Sequence, residues 1–248
     1  KKVIDRRGIM ELLKGELLKL KRLSIFQMAI LAPALVLLLG IKFYSFIKVK
    51  TPQVTPWEGL AVGSDTIFIG AILPILIMYV VIMMSRIENL NNGWKQLLVM
   101  PVKREKIYLT KYLVILLVLA ATLAAYLVEY TITAYLLGAK GIIPVEMFVN
   151  IIFIFIALQP FIAILFFLSN RFSSFVLSLG VGMVFILSSM LIVQSSYWKY
   201  APWTYPLALI QGGLSIVTEV LPILLISAFI FISIFFLDMY DFRRRDII

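Results

Sequence analysis

The sequence contains no cysteine and no histidine. Without cysteine there is no disulfide, no thiolate metal site and no thiol nucleophile. Without histidine, the commonest metal ligand and the base of His–Ser and His–Cys nucleophile pairs are also missing. Charge is scarce: Asp, Glu, Lys and Arg make up 15% of the chain, against roughly 25% in ordinary soluble domains. No G-x-x-x-x-G-K-[ST] occurs, so the chain has no phosphate-cradling loop of its own. No paired carboxylates share an apolar run. These absences predict no catalytic residue, no metal site and no cofactor within this chain.

What the chain has is hydrophobic length. Apolar residues are 62% of it, against roughly 45–50% in soluble domains, which rules out a soluble globular protein. The net charge of +10 would suit nucleic acid, but its placement points to membrane topology, and no nucleic-acid partner is expected. A membrane span needs about 20 apolar residues. Six runs qualify: 24–40 (extending toward 47), 66–85, 112–137, 148–168, 174–193 and 220–237. No small-residue cleavage pattern follows the first, so it reads as a span rather than a removable signal. With both termini inside, 18 of the 23 Lys and Arg residues fall on inside segments and five outside. That bias predicts cytoplasmic termini. The fold class is therefore an all-α polytopic membrane protein of six transmembrane helices. It forms a single domain over residues 1–248, with no internal repeat and no soluble domain.

The stretch that organises the chain is 86–111, which lies between the second and third runs and is too charged for lipid. Leu90, Trp94, Leu97 and Leu98 follow an i, i+4, i+7, i+8 pattern, which lays one apolar stripe along a short helix. Pro101 blocks continuation, and Lys103, Arg104 and Lys106 lead into the third run. Glu88 and Gly93 complete the punctuation. We read residues 86–104 as a short amphipathic helix on the cytoplasmic face.

At the N-terminus, residues 1–9 are a short basic lead, either an upstream extension or an added leader. From 9 to 22, Ile9, Leu13, Leu17 and Leu20 share one face and Lys14, Lys21 and Arg22 the other, with Glu16 interrupting the apolar side. This predicts an interfacial helix.

The connections assigned outside differ from one another. Residues 48–65, with Pro52, Pro56 and Trp57, read as a turn-rich loop. Residues 138–147 are short. Residues 194–219 carry Trp198, Pro202, Trp203 and Pro206 among several tyrosines. Trp and Tyr prefer headgroup level, so this segment is either an aromatic belt or a re-entrant piece whose backbone must be buried against protein. Gly212 and Gly213 would permit the second.

Glu129 is read as the one ionisable residue well inside a span. A charge there costs roughly 2.5–3.5 kcal/mol on insertion scales, so it should face protein or water. It is a pathway candidate, or a buried polar contact between helices. Ser174, Ser178 and Gly182 recur every fourth position, a spacing that brings helices close within the subunit or across a dimer. Pro33, Pro74 and Pro160 are candidate kinks, with Gln159 positioned to satisfy a freed backbone group.

Taken together, several features resemble the permease subunit of a type-2 ABC exporter, in particular the lantibiotic-immunity and drug-export branch. They are the amphipathic N-terminal helix, six spans with both ends inside, and the Glu88…Gly93–Trp94…Pro101–Val102…Lys111 loop. Pro202–Trp203 before the last span and the Arg-rich tail from Phe242 to Ile247 complete the set. The resemblance covers nearly the whole chain, and the loop is its most telling part. It implies a dimer of permeases, of the same or related chains, over two separate ABC ATPase subunits that bind the ATP and magnesium. The N-terminal helix would be the elbow helix. Glu88, Leu90, Gly93, Trp94, Leu97, Leu98 and Pro101 would form the ATPase-coupling segment. Trp198, Pro202, Trp203 and Pro206 would belong to an outer gate. Cargo in this branch is hydrophobic or amphipathic (peptide, lantibiotic, drug or lipid), and the location is a bacterial cytoplasmic membrane. Competing readings are a self-contained secondary transporter and a non-transporting scaffold or sensor. An intramembrane enzyme would need a Ser–Lys pair, and no lysine lies at a span centre.

Overall fold

The computed structural model describes residues 2–89, 103–172, 174–211 and 216–244. Every regular element among them is helical. Helix α1, Lys2–Arg22, ends at Ser24, whose left-handed backbone (φ 56°) turns the chain into α2, Ile25–Lys50. A non-glycine residue rarely adopts that conformation. Here it makes the tight elbow between the two helices. Helix α3, Pro56–Ile67, continues through a wide π turn, Phe68–Ile72, into α4, Leu73–Asn89. Helix α5 is Arg104–Leu136, and α6, Val145–Ala157, is broken at Leu158 before α7, Gln159–Arg171. After α8, Phe175–Ile192, come two 3-10 turns, Ser196–Tyr200 and Pro202–Thr204, then the short α9, Tyr205–Ile210. A second π turn, Ile216–Val220, opens α10, Leu221–Arg244.

Six helical stretches are long and apolar enough to cross a membrane: Ile25–Lys50, Pro56–Glu88, Arg104–Leu136, Val145–Arg171, Phe175–Ile192 and Thr218–Arg244. The second and third run 33 residues each. At 1.5 Å per residue each reaches about 50 Å, well beyond a hydrocarbon core near 30 Å.

The six runs fall on the six helices, but the structure corrects what lies between them. The turn-rich loop expected over 48–65 is mostly helix. Thr55 caps α3, accepting from the Glu58 N–H while Glu58 accepts from the Thr55 N–H, and Pro56 sits in the first turn. That reciprocal box satisfies two orphan donors and starts the helix ten residues before the apolar run. Asp65 is thereby drawn into a span. Asp65 on α3 and Asp238, buried on α10, thus stand on membrane-length helices alongside Glu129. The third and last helices also extend past their apolar runs at the charged end, to Arg104 and Arg244.

Proline explains the irregular turns. Both π turns stand immediately before a Leu–Pro pair, Leu73–Pro74 and Leu221–Pro222. Proline lacks the N–H that would close a regular turn, and its ring crowds the carbonyl four residues back. A locally widened turn relieves both. At Pro160 the helix breaks instead, and Gln159 Nε2 donates to the Phe155 carbonyl at 2.8 Å. Pro33 sits within an unbroken α2.

The core is built on α4 and α5, where Leu73, Ile77, Val80, Val114, Ile115 and Val118 are inaccessible to solvent or nearly so. Helix α10 presents Leu225, Phe229 and Leu237 outward, a surface suited to lipid acyl chains.

Candidate functional site

At one end of the bundle two acids and two amines close into a ring. Lys19 Nζ on α1 lies 2.9 Å from Glu16 Oε1 and 2.5 Å from Glu88 Oε1 at the end of α4. Lys111 Nζ on α5 lies 3.0 Å from the same Glu88 oxygen and 3.2 Å from Glu16 Oε2. The Glu88 and Lys111 side chains are only 3% and 2% exposed. Removing charges from water costs several kcal/mol per ion, which pairing offsets only when geometry and charge balance are good. This ring meets the condition: it is neutral and each amine serves both carboxylates. Lys19, at 34% side-chain exposure, contributes less because solvent screens it. Burial alone would lower its pKa, but the hydrogen bonds it donates to Glu16 and Glu88 and their negative charges outweigh that and raise it.

Why α1 docks here follows from its spacing. Leu13, Leu17 and Leu20 pack on the core, and Glu16 lies between them. The residue that interrupts the apolar face in the sequence is the one that supplies the contact.

One helical turn from the ring lies a second tie. Tyr108 OH donates to Asp238 Oδ2 at 2.8 Å. Asn170 Nδ2 donates to the same oxygen at 3.4 Å, and Ser85 Oγ donates to Asn170 Oδ1 at 3.4 Å. Ser85 precedes Glu88, and Tyr108 precedes Lys111, by three residues, so each pair shares a helix face. The chain therefore leaves α4 and enters α5 through two stacked polar contacts, which reach α1, α7 and α10. Outside them, Arg171 Nη1 meets both Asp241 oxygens at 2.9 Å, and Arg243 lies 3.2 Å from Glu105. Both pairs are exposed, worth about 0–1 kcal/mol each. The described parts of α1 and the end of α10 thus lie at the same end of the bundle.

Of the residues singled out in the sequence, Glu88 is in the ring. Leu90, Gly93, Trp94, Leu97, Leu98 and Pro101 lie outside the described residues, as do Gly212 and Gly213. Glu129 is half-buried on α5 with Oε2 enclosed and without a hydrogen-bond partner among the described residues. Ser174 is exposed just before α8. Ser178 is fully buried. Gly182 meets α4 and α7 so closely that a Cβ there would run into the Met78 side chain and lie 3.2 Å from Leu165.

At the opposite end, Trp203 stacks on Phe185 with centroids 4.4 Å apart and donates its indole N–H to Ser188 Oγ at 3.0 Å. Trp198 lies edge-on to Tyr205, 6.3 Å between centroids. Pro202 opens the second 3-10 turn and Pro206 is buried in α9. Helix α9 reaches the α3–α4 helix at the π turn, where the absence of a side chain on Gly70 makes room for Leu207: a Cβ would come within 2.9 Å of Leu207 Cδ1. Residues 205–210 therefore tuck in against the middle of a span.

Sequence reasoning missed Glu16, Lys19 and Asp65. A signal existed for the last: Thr55 and Glu58 have capping-box spacing around Pro56. Among the described residues no group of three acids stands close enough to hold a metal ion.

The family model described as ABC-2 family transporter protein matches residues 12–189. The match runs from α1 through most of α8 and takes in all four members of the charged ring. No curated protein matches the chain significantly.

Proposed function

Since the chain belongs to the ABC-2 family of transporter proteins and carries six membrane-length helices, we propose that it is the membrane subunit of an ATP-driven exporter. Its motor is a separate ABC ATPase that binds the nucleotide and magnesium. The two permeases of a working unit are copies of this chain or a relative. The charged end of the bundle faces the cytoplasm, in keeping with the 18-to-5 distribution of Lys and Arg. Residues 86–104 form the segment on which the ATPase acts, Trp94 and its apolar neighbours being the seat.

The observation that carries this reading is the buried bond between Glu88 and Lys111. It joins the two ends of the excursion to each other, and Lys19 and Glu16 tie both ends to α1. A push on that excursion is delivered to α4, α5 and α1 together. In this reading α1 is the elbow helix, the 196–211 segment gates the outer mouth, and hydrophobic or amphipathic cargo leaves the cell, as in bacteriocin immunity or drug resistance.

A self-contained secondary transporter is the second reading. Asp65 inside a span, hydrogen-bonded by Tyr126, favours it, since such transporters place ionisable groups within the bilayer. Proteoliposomes separate the two. Cargo movement that requires an ABC ATPase and ATP supports the exporter. Cargo movement driven by an ion gradient, with no ATPase present, supports the other.

A further inference from the structure

A cavity of about 220 Å³ opens at the end of the bundle away from the charged ring, between α3, α5 and α6. Its wall is aromatic: Trp57 and Tyr130 stack with centroids 6.3 Å apart, and Tyr126 lies beside Tyr130 at 5.8 Å. The wall is braced from behind, because Tyr130 OH donates to the Trp57 carbonyl and Tyr126 OH donates to Asp65. Below is an apolar floor that includes Ile69, Leu123 and Ile154.

The charged groups at this cavity, among the described residues, are all acidic. Asp65 lines it from within, and Glu58 and Glu146 stand exposed at its rim. No lysine or arginine lines it among the described residues. A carboxylate held inside an apolar bundle without a countercharge is costly, and Tyr126 offsets only part of that cost. A cation entering the cavity would supply the missing charge. The faces of Trp57 and the tyrosines would hold such a cation by their ring quadrupoles, while the floor takes an apolar body.

We infer that this cavity is a binding site for small organic cations, an ammonium or guanidinium head joined to an apolar ring or chain. The head sits between Asp65 and the aromatic wall, and the body on the floor. An inorganic ion would leave the floor empty. An anion or a neutral lipid would leave Asp65 unpaired. The site belongs to a single chain and needs neither nucleotide nor ATPase.

The test is calorimetric titration of the purified full chain in nanodiscs with benzyltrimethylammonium, using benzyl alcohol as the neutral ring. The expected result is saturable binding of the cation, tighter than the alcohol by about tenfold or more. Asp65→Asn abolishes that preference while leaving the alcohol's affinity unchanged. Glu146→Gln, at an exposed rim position, weakens the cation a few-fold. Glu105→Gln, on the same helix as Tyr126 and Tyr130 but at its charged end, changes nothing. Equal affinity for cation and alcohol, no saturable cation binding, or wild-type preference in Asp65→Asn or Glu146→Gln would overturn the assignment. Because no ATPase enters the measurement, failure here would leave the exporter reading standing, and failure of that reading would leave this site standing.

Discussion

Glu88 and Lys111 are 23 residues apart in the chain and 3.0 Å apart in space, both buried. The segment between them is the longest polar excursion in the sequence, and this bond closes its base. Glu16 and Lys19 fasten α1 to the same point. The bundle thus has one place where its N-terminal helix, its most enclosed span and its third span are joined electrostatically.

Lys111→Met leaves Glu16 and Glu88 with only the partly exposed Lys19 among the described residues. Breaking a buried pair by removing one partner costs roughly 3–5 kcal/mol. The variant is expected to unfold at a markedly lower temperature in detergent. The double variant Glu88→Gln/Lys111→Met keeps the Glu16–Lys19 pair and restores charge balance, and it should recover most of the loss. Thermal unfolding of wild type, single and double variants checks this. A double variant no better than the single would show that charge balance is not what matters.

The ring also makes a statement about pH. The pKa of Lys19 is raised above its ordinary 10.5. A group raised in the folded state stabilises fully below its ordinary value and loses that contribution as pH climbs through the folded value. The Lys19 contribution is therefore constant across the physiological range and fades only in strong alkali, above 10.5. Melting temperatures of wild type and Lys19→Met should differ by a fixed amount from pH 6 to 9 and converge beyond that value. A gap that closes near neutrality would contradict the assignment.

Helix α8 offers a paired test of packing. Gly182 lies against Met78 and Leu165, whereas a Cβ on Gly180 meets nothing within 4 Å. Gly182→Leu should destabilise by about 1–3 kcal/mol through overpacking, and Gly180→Leu should be tolerated. Thermal unfolding of the two variants side by side decides. Equal effects would mean that the small-residue spacing does not mark this contact.

Much of this architecture could be read in the sequence because hydrophobic length survives any detail of packing. Six apolar runs fall on six membrane-length helices, and the every-fourth spacing in α8 leads to two close or buried positions, Ser178 and Gly182, though not to Ser174. What was illegible depended on partners distant in the chain. Glu16 looks like a flaw in an apolar stripe until Lys111, 95 residues on, is placed beside it. Asp65 was missed for a local reason. Pro56 and Trp57 have turn-like composition, whereas Thr55 and Glu58 cap the start of a helix. The ring's members could be recognised as charged from sequence, but their mutual neutralisation depends on tertiary contact.

The central claim is that the Glu88–Lys111 base transmits work from a separate ATPase to the bundle. Its most direct test is proteoliposomes holding the chain and its ABC ATPase, with ATP hydrolysis and cargo transport measured together. The Glu88→Gln/Lys111→Met variant, expected to recover most of its stability, should still assemble and hydrolyse ATP while transport per ATP falls about tenfold or more, a loss of about 1.4 kcal/mol of coupling. Transport per ATP equal to wild type, or wild-type transport with no ATPase present, would contradict it.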